Sequence, residues 1–165
     1  MKKITLLSLL YILTFSSIAQ NKFGYIDSGE LLILMPERKT AEAEVAALAK
    51  SLEAQLSSMT AEYQQSVQEY QNNEGTYTDL VKQDKIAEIT GLEQRIQAFQ
   101  KNAQESLQTK EQELLEPILT KARQAIEDVA KEGNYTYIFD KSLGSILYAK
   151  DNENILSLVK KKLGL

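Results

Sequence analysis

The chain has 165 residues, a net charge of −4 from 19 basic and 23 acidic side chains, and neither histidine nor cysteine. Without cysteine there are no disulfides and no thiolate metal sites, and without histidine the commonest metal ligand and the usual general base are missing. The acidic balance argues against nucleic acid as a partner.

The first 19 residues have the pattern of a secretory signal. Lys2 and Lys3 precede an apolar stretch, residues 4–19, which ends in the small residues Ser17 and Ala19. We predict cleavage after Ala19 and export of the remaining chain. A retained membrane anchor is the alternative, although the stretch is shorter than the ~20 residues that span a bilayer. After removal of Lys2 and Lys3 with the signal segment, the remaining chain has 17 basic and 23 acidic residues and a net charge of −6.

Residues 20–36 are predicted to form the first part of a small β body. Residues 22–26 (KFGYI) favour a short strand, residues 27–29 (DSG) a turn, and residues 30–35 a short apolar helix. Pro36 suits the first position of the next helix, where its missing N–H leaves no hydrogen bond unmade.

Residues 37–131 carry apolar side chains at 11-residue intervals in two stretches. Rows of the first stretch are Val45, Leu56, Val67; Leu48, Met59, Tyr70; and Ala41, Leu52, Tyr63. Rows of the second are Ile96, Leu107, Ile118, Val129; and Leu92, Ala103, Leu114, Ala125. This repeat gives about 3.67 residues per turn, so each row stays on one helix face. A polar break with Gly75 separates the stretches, which predicts a long antiparallel helical hairpin with its tip near residues 71–79.

Pro117 lies inside the returning helix. A proline there removes one backbone hydrogen bond and clashes with the preceding turn, so we predict a kink or hinge at Pro117, where the hairpin meets the body.

Residues 132–165 are predicted to form the second part of the body. Beyond Gly133 the apolar period changes to two, with Tyr135, Tyr137 and Phe139 on one face of a strand. A turn and a second strand at residues 146–149 would complete a β-hairpin that pairs with the N-terminal strand. Asp151 or Asn152 is expected to cap a last helix that ends at Leu163.

Apolar side chains are the candidate functional residues, and two sets are distinguished. Those of the hairpin either join its two helices or contact a bound polypeptide: Met59, Tyr63, Val67, Tyr70, Tyr77, Leu80, Val81, Ile86, Ile89 and Phe99. Those of the body form its core or an oligomer interface: Phe23, Tyr25, Ile26, Tyr135, Tyr137, Phe139, Ile146 and Tyr148. No catalytic, cofactor or metal residues are predicted, because no carboxylate pair stands out and no glycine-rich phosphate loop follows a strand.

The order of these segments resembles the Skp/OmpH family of periplasmic chaperones. The resemblance rests on residues 23–32 (FGYIDSGELL), residues 110–140 (KEQELLEPILTKARQAIEDVAKEGNYTYIFD) and residues 147–163 (LYAKDNENILSLVKKKL). It implies a mainly α fold in which a long antiparallel helical hairpin projects from a small β-rich trimerisation body. It also implies a homotrimer in the periplasm whose arms hold unfolded outer-membrane proteins without ATP or cofactors.

Two other functions stay open from the residues alone. A structural or adaptor coiled-coil protein of the cell envelope would bind one folded partner, and a membrane-tethered spacer would keep its N-terminal segment. The acidic chain differs from the basic members of the family, which leaves peripheral membrane contact an open question.

Overall fold

The computed structural model describes residues 21–165, so the predicted signal segment lies outside the described residues. These residues form two compact units. The hairpin unit is Gly29–Gln124 with Leu165, and the strand unit is residues 21–28 with Ala125–Gly164. The predicted fold class is confirmed: long helices form an antiparallel hairpin, and a small strand pair accompanies them.

Two long helices make up most of the chain. Strand β1 (Phe23–Ile26) and the short helix α1 (Ser28–Leu34) precede α2 (Pro36–Asn73), which begins with a proline at its first turn as the sequence predicts. A 3₁₀ turn, Glu74–Thr76, leads to α3 (Asp79–Glu132). The tip of the hairpin is therefore residues 74–78, inside the predicted range.

Polar side chains of the tip support both helix ends. Thr78 Oγ1 accepts a hydrogen bond from the amide of Val81 (3.4 Å), which caps the first turn of α3. Asp79 follows in that first turn, where a negative charge suits the helix dipole. Two threonines, Thr76 and Thr78, precede this helix, and Thr78 is the one that caps it. Thr76 instead donates a hydrogen bond to the carbonyl of Asn73 (2.8 Å).

The apolar rows of the 11-residue repeat form the seam between the two helices as far as Ile118, whereas their last members, Ala125 and Val129, lie in the strand unit. All residues of these rows are buried or half-buried in the described chain, whereas neighbouring positions such as Ala43, Ala54 and Ala98 are exposed. Within the hairpin unit, Ala41, Leu92, Ile118 and Ala122 are buried. Most of the other row members are only half-buried, because two helices cover each other on one side alone.

Ion pairs across the hairpin define its register. Lys85 contacts Glu69 (Nζ–Oε1 3.4 Å), and Lys110 contacts Glu44 (Nζ–Oε2 3.0 Å). The two glutamates are as far apart along α2 as the two lysines are along α3, as an antiparallel register requires. Both lysines lie on the seam side of α3 and are half-buried, so their stems cover apolar surface while their amines reach the glutamates.

Helix α3 continues without interruption through Pro117. A proline removes one backbone hydrogen bond, and a long helix can tolerate that loss where the freed carbonyl is solvated. The hairpin unit ends at Gln124, beyond Pro117. The hinge at Pro117 stays a prediction.

The strand unit contains a two-stranded parallel sheet. Strand β1 pairs with β2 (Tyr137–Asp140), with Phe23 opposite Tyr137 and Ile26 opposite Asp140. The last helix, α4 (Leu156–Leu163), contributes Val159 to a core that also holds Tyr25, Ile26, Val129 and Ile155. The predicted pairing of the N-terminal strand with the C-terminal region is present.

Segment 145–149 differs from the prediction. It contains no strand, so no β-hairpin forms with β2, and a 3₁₀ turn at Lys141–Leu143 follows β2 directly. Leu147 is 98% exposed and Tyr148 83% exposed. A strand needs a hydrogen-bonding neighbour, and the described part of the chain supplies none for residues 146–149.

The start of the last helix also differs from the prediction. Asp151 lies in a separate 3₁₀ turn, Asp151–Glu153. The last helix begins at Leu156 with Ile155 at its N-cap, so no side chain caps it, and Asn154 before the cap accepts a hydrogen bond from the amide of Leu156 (2.9 Å).

The ring of Tyr135 packs so close to the backbone at Gly24 and Gly133 that neither position has room for a side chain. A β-carbon on Gly24 would lie 2.9 Å from this ring, and one on Gly133 would lie 2.4 Å from it. Either side chain would displace the ring. Lys22 donates a hydrogen bond to the Gly133 carbonyl (2.8 Å), and its amine lies 4.0 Å from the ring centre. These contacts join the N-terminal residues to the end of α3.

Candidate functional site

The hairpin candidates fall into two groups by exposure. Seven are half-buried and lie along the two-helix hairpin or at its tip: Met59, Tyr63, Val67, Tyr70, Tyr77, Ile89 and Phe99. Their partial burial fits the interpretation that they hold the helices together, and it leaves part of each side chain open to a ligand.

Three candidates at the start of α3 are exposed. Leu80 is 69% exposed, Ile86 51% and Val81 38%. We call these three side chains the tip face. Large apolar residues exposed singly are common, but three within seven positions make this helix end apolar on two sides, with Leu80 and Val81 on one side of α3 and Ile86 on another.

Aromatic packing shapes the tip beside this face. The rings of Tyr70 and Tyr77 lie 6.3 Å apart, and Tyr70 Oη donates a hydrogen bond to Glu74 (3.4 Å). Desolvation and the Glu74 carboxylate raise the pKa of Tyr70, so this hydroxyl stays protonated and neutral at physiological pH. The tip is therefore a packed turn with apolar side chains on its outside.

Lys85 is held by two carboxylates next to the tip face. Its amine lies 3.2 Å from Glu88 and 3.4 Å from Glu69. The hydrogen bonds to Glu88 and Glu69 raise its pKa, so the lysine remains charged and its charge is locally neutralised.

The body candidates divide in the same way. Tyr25 and Ile26 are buried, as a core requires, while Tyr135 and Ile146 are half-buried. The remaining four are exposed in the single chain: Phe23 (45%), Tyr137 (61%), Phe139 (48%) and Tyr148 (83%). These four are therefore not core residues of one chain.

Three of the exposed aromatics form one cluster. Phe23 stacks on Tyr137 at 6.1 Å, and Phe139 lies 6.3 Å from Phe23 and 6.2 Å from Tyr137. A cavity of about 650 Å³ lies between the strands and residues 145–149. Phe23, Tyr25 and Phe139 line it from the strands, and Leu147 and Tyr148 line it from the loop.

Several other exposed apolar residues were not among the predicted candidates. Ile33 is 69% exposed, Leu143 77% and Leu147 98%. Leu143 lies in the predicted turn of the β-hairpin and Leu147 in its predicted second strand. The signal that could have identified them is the density of apolar residues in a segment too short to bury them.

The described residues offer no site for metal chemistry and no membrane span. They contain no group of three or more carboxylates that could hold a metal ion. Their helices include none that combines the length and the apolar character needed to cross a bilayer. The candidate surfaces are apolar and therefore suit binding rather than covalent chemistry.

A long antiparallel helical hairpin with an apolar seam, accompanied by a two-stranded sheet, defines a mainly α class of protein. The chain belongs to the OmpH-like family, because the model described as "Outer membrane protein (OmpH-like)" matches residues 22–163. No curated protein sequence matches it.

The fold also occurs in the crystal structure of an OmpH-like protein from Caulobacter crescentus CB15, a candidate outer membrane chaperone. The TM-score is 0.77 at 14% sequence identity, and the match covers 88% of this chain and 85% of the other. At 14% identity, the match shows that the two proteins share a fold. The resemblance that the sequence predicts is confirmed.

Proposed function

We propose that the protein is an ATP-independent holdase chaperone of the periplasm. It binds unfolded outer-membrane proteins between its helical arms and prevents their aggregation before insertion into the membrane. The observation that carries this proposal is the incomplete burial of the hairpin's apolar surface. The seam is half-exposed along its length, and the tip face is open.

This surface suits many clients rather than one. The side chains of the tip face are openly exposed, whereas a selective site would need a shaped pocket to reject wrong ligands. Each contact with Leu80, Val81 or Ile86 contributes little affinity. Several arms acting on one chain raise the effective concentration of each contact, so weak contacts together hold the client.

The same proposal includes assembly into a homotrimer. A two-stranded sheet is at best marginally stable in isolation. The aromatic cluster of Phe23, Tyr137 and Phe139 is exposed, and so are Leu147 and Tyr148. Neighbouring copies would cover this apolar surface at a gain of about 25 cal/mol per Å². Residues 146–149 would also find the strand partner that one chain does not provide.

Export is the third part of the proposal. The pattern of residues 1–19 supports a cleaved signal, with the mature protein starting after Ala19 and working in the periplasm. Intact mass of the protein recovered from the envelope tests this part. A retained segment would favour the membrane-tethered spacer.

Light scattering tests the holdase activity. An unfolded outer-membrane β-barrel is diluted from urea, without nucleotide, into buffer with and without the protein. We expect aggregation to be suppressed near one trimer per client. A correctly folded oligomer that leaves scattering unchanged would favour the adaptor function, in which the hairpin binds one folded partner.

A matched pair of variants links the activity to the tip face. Leu80→Ser removes its most exposed side chain, while Leu158→Ser removes a side chain that is 47% exposed in the strand unit. We expect the first variant to require several times more protein for half-suppression and the second to act like the wild type. If the two variants changed the amount of protein needed for half-suppression equally, the tip face would have no special role in client binding.

A further inference from the structure

The excess negative charge of the chain lies in one part of the hairpin. Residues 51–105 carry nine carboxylates against four basic side chains, an excess of five negative charges. The rest of the hairpin, residues 37–50 and 106–124, carries six of each and is balanced. No lysine or arginine occurs between Lys50 and Lys82. The end of the hairpin near the tip is therefore acidic and the other end is neutral.

Ion pairing increases this asymmetry. Lys85 is already paired with Glu69 and Glu88, and Lys101 lies 3.8 Å from Glu105. Within the described part of the chain, six carboxylates of residues 51–105 take part in none of the ion pairs: Glu53, Glu62, Glu74, Asp79, Asp84 and Glu93. Lys82 and Arg95 are the two basic side chains there that are left to oppose them.

Two of these carboxylates lie next to the tip face. Asp84 is four residues from Leu80 and three from Val81, spacings that place side chains side by side on a helix. Asp79 is two turns before Ile86 on the same face. Each exposed apolar side chain of the tip therefore shares its helix face with a carboxylate, and both carboxylates are exposed.

We propose that the tip face and its carboxylates bind unfolded segments in which lysines or arginines alternate with apolar residues. This inference rests on the proposed holdase function and names the kind of client segment it prefers. Apolar side chains of such a segment contact Leu80 and Val81 on one side of α3, and the long stems of its lysines lie beside them so that their amines reach Asp84. Where the segment passes Ile86 on the other side, an amine reaches Asp79.

The same charges disfavour acidic segments. A glutamate-rich segment of equal hydrophobicity would place like charges together over the six unpaired carboxylates. Several exposed charge pairs, each weak on its own, together discriminate between the two segments by about tenfold in affinity.

Fluorescence anisotropy with two labelled, disordered peptides tests this preference. The peptides share their apolar residues and differ only in lysines or glutamates at the remaining positions. At neutral pH and low salt, we expect the lysine peptide to bind the purified protein about tenfold more tightly. At about 0.5 M salt the two affinities should converge, because the Debye length falls well below 10 Å.

Two double variants with the same total charge locate the effect. Asp84→Lys with Glu93→Lys reverses charge near the tip, whereas Glu113→Lys with Glu116→Lys reverses charge in the balanced part. All four side chains are exposed and outside the ion pairs of the described chain. We expect the first variant to lose the preference for the lysine peptide and the second to keep most of it.

The outcomes separate this inference from the holdase proposal. Equal binding of both peptides, or tighter binding of the glutamate peptide, overturns the charge preference and leaves the holdase function intact. If both double variants lost the preference for the lysine peptide, the preference would depend on the net charge of the protein, and the proposed role of the tip would be overturned. Failure to bind either peptide, together with no suppression of aggregation, overturns the holdase function itself.

Discussion

The amide of Ser28 donates a hydrogen bond to the carboxylate of Asp140 (N–Oδ1 3.2 Å) across 112 residues of sequence. The hydroxyl of Ser28 also donates to this carboxylate, and so does the amide of Ser142 (2.9 Å). Asp140 thus joins the start of α1 to the turn after β2. Partial burial raises the pKa of Asp140, but the hydrogen bonds from Ser28 and Ser142 outweigh that effect and hold the pKa below its ordinary value.

Replacing this carboxylate should weaken the strand unit in a pH-dependent way. We expect Asp140→Ala to lower the free energy of unfolding by about 1–2 kcal/mol at neutral pH, after allowance for solvent screening. Since the native pKa is lowered, the contribution is complete above the unfolded-state pKa of ~3.9 and is lost as the pH falls through the native value.

Urea unfolding at neutral pH and near pH 3 measures the Asp140 effect. The difference between wild type and Asp140→Ala should shrink at the lower pH. Asp151→Ala, which removes an exposed carboxylate from a nearby 3₁₀ turn, serves as the control with little expected change. A difference that does not vary with pH would show that the carboxylate's charge is irrelevant.

The ion pair of Lys110 and Glu44 should contribute modestly to the hairpin register. Their side chains are 36% and 48% exposed, so we expect a coupling of about 0.5 kcal/mol. A double-mutant cycle with Lys110→Ala and Glu44→Ala, followed by thermal unfolding, measures it. The coupling should weaken in high salt. Additive effects of the two substitutions would mean that the pair makes no contribution.

A charge in the seam should loosen the hairpin. Leu56 is half-buried in one of the apolar rows, and Leu56→Asp replaces it by a carboxylate that would lose hydration there. We expect a loss of about 2 kcal/mol of hairpin stability and faster amide exchange in α2 and α3. The neighbouring exposed position gives the matched control, Gln55→Asp, which should have little effect.

The same variant tests the division into a hairpin unit and a strand unit. The oligomer measured by light scattering should persist in Leu56→Asp, because the substitution lies outside the strand unit. Loss of the oligomer would contradict the assignment of self-association to that unit.

Gly91 offers a stabilising substitution within α3. A β-carbon at this position would meet nothing within 4 Å. Gly91→Ala should therefore add about 1 kcal/mol to hairpin stability through helix propensity alone. The reverse change one turn earlier, Ala87→Gly, should cost a similar amount. Thermal unfolding of both variants gives the comparison, and destabilisation by Gly91→Ala would indicate a need for backbone freedom there.

The helical part of the fold was predictable because its determinants are local. The 11-residue rows, the polar break and Thr78 lie within the segments that they organise, and all appear where the sequence indicates. The same holds for β1 and β2, which are marked by alternating aromatic residues.

The loop region was less predictable because its determinants are distant or absent from one chain. Residues 146–149 have the apolar content of a strand, but a strand forms only beside a partner, and sequence does not reveal whether that partner is another copy. The start of α4 was misplaced because Asp151 and Asn152 are suitable caps by residue type, whereas the helix begins after Ile155, an apolar residue whose side chain cannot cap it. Which tip residues are open to a client also depends on packing, so the half-buried Tyr77 and the exposed Leu80 could not be told apart in advance.

Native mass spectrometry of the protein with an unfolded outer-membrane β-barrel, without nucleotide, tests whether a trimer binds one unfolded client. We expect three copies of the chain alone and a complex of three copies with one client after mixing. A monomer that binds no client, or an oligomer that binds only the folded barrel, would contradict it.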